Sequence, residues 1–111
     1  MEISYHCREI QGQGIKISAI LNGKIVGRSY LYVLGNDLHK APFGFVEDVF
    51  VEDEWRGQGI GFGLLNQIIA EAKSRHCYKL ILTCRHSREN LHRFYERLGF
   101  TNHGFEFRMD L

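Results

Sequence analysis

No apolar run in this 111-residue chain approaches the ~20 residues that a membrane-spanning helix needs. The opening Met1-Glu2-Ile3-Ser4-Tyr5 also lacks the basic-then-apolar profile of a secretory leader. These absences predict an intracellular, cytoplasmic protein without a membrane partner. Cysteine is scarce and odd in number: Cys7, Cys77 and Cys84 form no C-x-x-C pair, so neither a disulfide framework nor a zinc knuckle is indicated and the three read as reduced thiols. The six histidines show no ligand spacing, so no metal is expected. Charge of one sign is also missing, with 14 Lys+Arg against 13 Asp+Glu. No dense basic run interleaved with aromatics points to nucleic acid. What remains is 44% apolar residues, enough for one domain spanning residues 1–111. A chain of this size buries roughly two-thirds of its unfolded surface, without staples.

The charge balance conceals a gradient. Residues 1–55 carry five basic and eight acidic side chains, a net of −3, and residues 56–111 carry nine and five, a net of +4. Chance scatter produces such an asymmetry, and so does a partner that is negative at one end and meets the second half. Glycine is over-represented, 12 of 111 against a usual share of about 7%. Four of these glycines fall between positions 57 and 63.

Ile15 to Leu21 and Ile25 to Val33 are β-rich runs around Asn22-Gly23-Lys24, and Asn-Gly there is a strong hairpin signal. Ile3 to Ile10 reads as an earlier strand, and Phe43 to Val51 as a later one. From Ile60 the period changes: Leu64, Leu65, Ile68, Ile69 and Ala72 recur at helical spacing. Leu80 to Cys84 is nearly continuous in apolar residues, which predicts a strand in the sheet centre. Ser87 can cap a second helix with the stripe Leu91, Phe94, Tyr95 and Leu98, stopped by Gly99. Phe105 to Asp110 alternates as a final strand. Four strands, helix, strand, helix, strand predicts an α/β fold with a mixed, mostly antiparallel sheet. The strands at 43–51 and 79–84 should run parallel across the first helix.

Arg56-Gly57-Gln58-Gly59-Ile60-Gly61 stands where a strand gives way to a helix. Unpaired N–H groups point out of a helix N-terminus, and glycine lets an anion approach them closely, so a phosphate site follows. A merely flexible connection is the alternative, against which stands the ~1 kcal/mol that each helical glycine costs relative to Ala. The dinucleotide fingerprint G-x-G-x-x-G fails in both registers, because Phe62 or Leu64 occupies its last position. No Gly-Lys-Ser/Thr follows for a triphosphate loop.

Val46 to Phe100 resembles the GNAT superfamily of acyl-coenzyme A N-acyltransferases. Its loop Gln/Arg-x-x-Gly-x-Gly/Ala is met by Arg56, Gly59 and Gly61, and its Asn…Phe-Tyr…Gly-Phe helix by Asn90, Phe94-Tyr95 and Gly99-Phe100. The resemblance implies a GNAT-like fold with a splayed parallel strand pair, here without the helices that usually follow the first strand. It implies acetyl-coenzyme A as co-substrate, with its pyrophosphate on Arg56, Gly57, Gln58, Gly59, Ile60 and Gly61. Its pantetheine arm would pair with the backbone of Val49, Phe50 and Val51, and Asn90 belongs to the cofactor set. The implied reaction is attack of a primary amine on the thioester. An amine with a reference pKa near 10.4 must first lose a proton, and Glu47 is the candidate base. Tyr95 would be the donor to the departing thiolate.

Each role has a structural alternative. Tyr95 lies on an apolar stripe and reads equally as a core tyrosine. Glu47 and Asp48 should point to opposite faces of a strand, so at most one faces the cleft. The central region, Glu47-Asp48-Val49, Arg56-Gly57-Gln58-Gly59 and Cys77-Tyr78-Lys79, is similar to the glucosamine-6-phosphate N-acetyltransferase family. That similarity implies a homodimer whose Tyr-Lys pair helps bind a sugar phosphate. The acceptor stays open between small-molecule and peptide amines, an amino-sugar phosphate among them. A non-catalytic acyl-coenzyme A-binding sensor is the other class of function.

Overall fold

Asn22 and Gly23 sit at φ of 50° and 77°, so Gln13–Leu21 (β1) and Lys24–Leu34 (β2) are joined by the expected two-residue turn. The computed structural model describes residues 1–111, and the remaining elements are Phe43–Val51 (β3), a 3-10 turn at Asp53–Trp55, Ile60–Ser74 (α1), Leu80–Leu82 (β4) and Glu89–Arg97 (α2). Two compact units divide the chain, Met1–Ile81 and Leu82–Leu111.

In the first unit β2 pairs antiparallel with β1 on one side and β3 on the other. Tyr78 donates its N–H to the carbonyl of Pro42 and Gly44 to that of Lys79, both at 2.9 Å. These partners advance together along the chain, so β4 runs parallel to β3, and the sheet order is β1-β2-β3-β4. Helix α1 covers one face. Leu64, Leu65, Ile68 and Ala72 are its buried stripe, and Leu31, Val33 and Val46 complete the core with Val26. Gly27 lets α1 come close: a Cβ there would stand 3.2 Å from Leu64 Cδ1 and 3.3 Å from Ile60 Cγ2. The helix ends in a Schellman arrangement, with Cys77 N–H donating to the Ala72 carbonyl and His76, at φ 63°, in the left-handed position glycine usually takes.

In the second unit α2 ends as its sequence predicts. Gly99 has a φ of 104°, and Phe100 N–H donates to the carbonyl of Tyr95 at 3.1 Å.

Four expectations are corrected. Residues 3–10 form no strand: Ile3 and Ile10 are exposed, and without a ladder partner local β preference is too weak to order a segment. Phe105 to Asp110 likewise forms no strand, and Phe105, Phe107 and Met109 are exposed. β4 is three residues long and lies at the sheet edge instead of its centre, because no strand pairs beyond it. Arg88, not Ser87, is the N-cap of α2, and no side chain caps that end.

Candidate active site

Strand β3 delivers the chain into the glycine loop. Its last carbonyl, that of Val51, accepts a hydrogen bond from Arg56 Nε at 2.9 Å, and Arg56 Nη1 stands 3.0 Å from Asp53 Oδ1. Gly57 and Gly59 turn the backbone at φ of 77° and 82°, a region that only glycine enters freely. Gly59 is the N-cap of α1, no side chain caps it, and the first turn carries no carboxylate. The ladder of α1 begins with Gly63 N–H on the Gly59 carbonyl at 3.0 Å, so the N–H groups of Ile60, Gly61 and Phe62 precede it. Open space surrounds the Cβ positions of Gly57 and Gly59, and a Cβ on Gly61 would meet only Val51 Cγ2, at 3.9 Å. The result is a cradle of bare backbone donors at the positive end of a 15-residue helix, which suits a diphosphate. Gln58 lies in the same exposed loop.

Upstream, β3 is irregular. Tyr30 pairs with Glu47 and Arg28 with Phe50, so three steps on β3 match two on β2 and one extra residue bulges. Asp48 stands in the bulge at φ 56°. The expectation that Glu47 and Asp48 alternate across a regular strand is therefore corrected: the bulge breaks the alternation, and both side chains are exposed. Ser29, fully buried, donates from Oγ to the Glu47 carbonyl at 3.2 Å. The Asp48 carboxylate accepts from Arg28 Nε at 2.8 Å, which holds the guanidinium proton more firmly, whereas Glu47 makes no ion pair. The Phe50 ring has two guanidinium neighbours, with Arg28 Cζ 4.5 Å and Arg56 Cζ 5.5 Å from its centroid.

The extra residue also changes which backbone groups face outward. Before the bulge, Gly44 turns its N–H to β4; after it, Glu52 turns its N–H to the Val26 carbonyl of β2 at 2.9 Å. Even-numbered residues thus face β4 upstream and β2 downstream. Phe50 follows the same rule, its carbonyl lying on the β2 side, 3.0 Å from where a Gly27 Cβ would be. Of the three residues expected to pair with a cofactor arm, Val49 and Val51 turn their backbone to the outer edge and Phe50 does not. The bulge and Arg28 escaped the sequence reading. An Asp, tolerant of positive φ, interrupting an apolar run was the available signal.

Tyr95 and Asn90 belong to the second unit. Asn90 is exposed in the first turn of α2. Tyr95 is half-buried and packs edge-on against Phe94 and Phe100, at centroid distances of 5.5 and 6.1 Å. Burial pushes its pKa up; Cys84 adds to the rise and Arg88 opposes it. The phenol therefore keeps its proton through neutral pH.

Residues 2–100 match the sequence model of the Acetyltransferase (GNAT) family. The chain belongs to that family. Among its relatives, the GNAT chain is 37% identical over 90 residues to the glucosamine 6-phosphate N-acetyltransferase of Trypanosoma brucei brucei, covering 80% of this chain and 59% of the relative. It is 32% identical over 89 residues to the aminoalkylphosphonate N-acetyltransferase of Salmonella typhimurium, covering 80% and 58%. A crystal structure of an acetyltransferase from Trypanosoma brucei superposes with a TM-score of 0.73 at 36% identity, over 80% of this chain and 61% of that one. The GNAT chain thus spans about three-fifths of these relatives' length. Its fold is the mixed α/β sheet expected, with the parallel pair β3–β4, and no helix is long and apolar enough to cross a membrane.

Proposed function

We propose that the protein is an acetyl-coenzyme A-dependent N-acetyltransferase acting on a primary amine that carries a phosphate or phosphonate group. The observation that carries this reading is the glycine cradle at the start of α1, whose amides precede the helical ladder and have neither a side-chain cap nor a carboxylate before them. Two relatives support the acceptor class: one is named for glucosamine 6-phosphate and the other for aminoalkylphosphonates. Lys79 supports it too. Its Nζ stands 5.3 Å from the Tyr78 ring centroid and 5.5 Å from that of Phe43, and it makes no ion pair, so its charge is available to an anion.

In this reading the amides of Ile60 and Gly61 hold the pyrophosphate, and Val49 and Val51 align the pantetheine arm. Acetyl-coenzyme A supplies the activated acyl group. Glu47, unpaired and exposed, removes the amine proton directly or through a water, and Tyr95, protonated at neutral pH, gives a proton to the leaving thiolate. A second copy of the chain completes the acceptor side, as the similarity of Cys77-Tyr78-Lys79 to the glucosamine-6-phosphate N-acetyltransferases implies.

Thermal melting with acetyl-coenzyme A tests the cradle. At 100 times its Kd the ligand adds about 2.7 kcal/mol, which raises Tm by roughly 10 °C in a domain of this length. Gly61→Val should abolish the shift while leaving a folded protein. No shift for the wild type, or an equal shift for the variant, refutes the reading. Thiol release from acetyl-coenzyme A, assayed with amino-sugar phosphates, aminoalkylphosphonates and their dephosphorylated counterparts, then tests the acceptor class.

A further inference from the structure

We infer that Arg28 is a positioning residue for β3, acting through Asp48 and Phe50 to hold the bulge that turns Val49 and Val51 toward the outer edge of the strand. The inference rests on the proposed use of that edge for the cofactor arm and names the part of β2 that sets it up.

Three contacts from β2 converge on the bulge. Ser29 Oγ fixes the Glu47 carbonyl, Arg28 Nε fixes the Asp48 carboxylate, and the Arg28 guanidinium lies over Phe50 with Cζ 4.5 Å from the ring centroid. Asp48 needs such support, because a residue with a Cβ pays for a φ of 56°. An exposed ion pair alone holds little. This one works together with a cation–π contact to the residue two positions further along the same strand.

Phe50 extends the effect. Its other guanidinium neighbour, Arg56, ties the glycine loop to the Val51 carbonyl, so bulge and loop share one aromatic platform. If Asp48 relaxed to an extended conformation, the extra residue would no longer be absorbed. Strand pairing has a period of two, so every backbone group after position 48 would then exchange sides. Val49 and Val51 would turn toward β2, and the cofactor edge would present Phe50 instead.

The test measures coenzyme A affinity by calorimetry for wild type, Arg28→Gln, Asp48→Gly and the double variant, with amide exchange at Val49 and Val51 followed by NMR. Arg28→Gln should weaken binding roughly tenfold and speed exchange at both amides. Glycine holds a positive φ without help, so Asp48→Gly and the double variant should bind within about twofold of wild type. That recovery is what a general loss of stability would not give. Equal binding by wild type and Arg28→Gln overturns the inference alone. So does a double variant as weak as Arg28→Gln, or an Asp48→Gly protein that is equally weak. A wild type that binds no coenzyme A overturns the proposed function, and this inference with it.

Discussion

Gly44 presents bare backbone to Leu80: a Cβ on the glycine would stand 2.6 Å from Leu80 Cδ1 and 3.0 Å from Leu31 Cδ1. The parallel pair β3–β4 closes over that gap, with the Gly44 N–H on the Lys79 carbonyl. Gly44→Ala should therefore destabilise the protein by about 1–2 kcal/mol, limited because Leu80 is only part-buried and its methyl can shift. Urea denaturation reads this as a lower midpoint at constant slope.

The glycines of α1 separate structural from functional need. Gly63 is helical, exposed, and has nothing within 4 Å of its Cβ position, so Gly63→Ala should stabilise by about 1 kcal/mol. Coenzyme A affinity should stay unchanged in that variant. Gly61→Val should instead lose affinity, since its branched side chain would crowd the first free amides of the helix at a position where the loop pattern takes only Gly or Ala. Melting and calorimetry on the two variants resolve the difference.

Tyr95 gives a prediction with a sign in pH. Its raised pKa means the folded chain holds the phenolic proton more tightly than the unfolded one. The associated stability is present below the ordinary tyrosine value near 10 and lost as pH rises through the raised value. Tyr95→Phe should show a shallower loss of stability above pH 10 than wild type. At pH 7.5 it should lower kcat about 100-fold, with coenzyme A affinity retained.

Cysteine reactivity should follow burial. Cys7 is exposed, whereas burial pushes the Cys77 thiol up, with Arg75 pulling the other way. Iodoacetamide at pH 8 should alkylate Cys7 first and Cys77 several-fold more slowly, read by peptide mass mapping over time.

The sequence announced those features whose chemistry is local. Asn22-Gly23, the Leu64 to Ala72 stripe and Gly99 each carry their own backbone preference or period, and each forms where expected. Features that depend on a distant partner were not legible. Leu80 to Leu82 has the composition of a central strand, but its place at the edge is decided by the absence of any strand beyond it. Residues 3–10 and 105–110 have the composition of strands and find no strand to pair with. His76 ends α1 in a position where glycine is the usual marker, so that boundary carried no signal. The glycine cradle could be read residue by residue. The bulge left only a local trace, an Asp within an apolar run, because its partner Arg28 lies 20 residues from Asp48 on another strand.

The two-residue turn between β1 and β2 has a consequence for the order of assembly. Its ends meet almost without loss of chain entropy, whereas β3 must be recruited across residues 35–42 and β4 only after the whole of α1 has been laid down. Zippering of the first two strands can finish within microseconds. Capture of β4, the most distant pairing in sequence, should then set the refolding rate, so the last edge of the sheet to form should be the one beside β3.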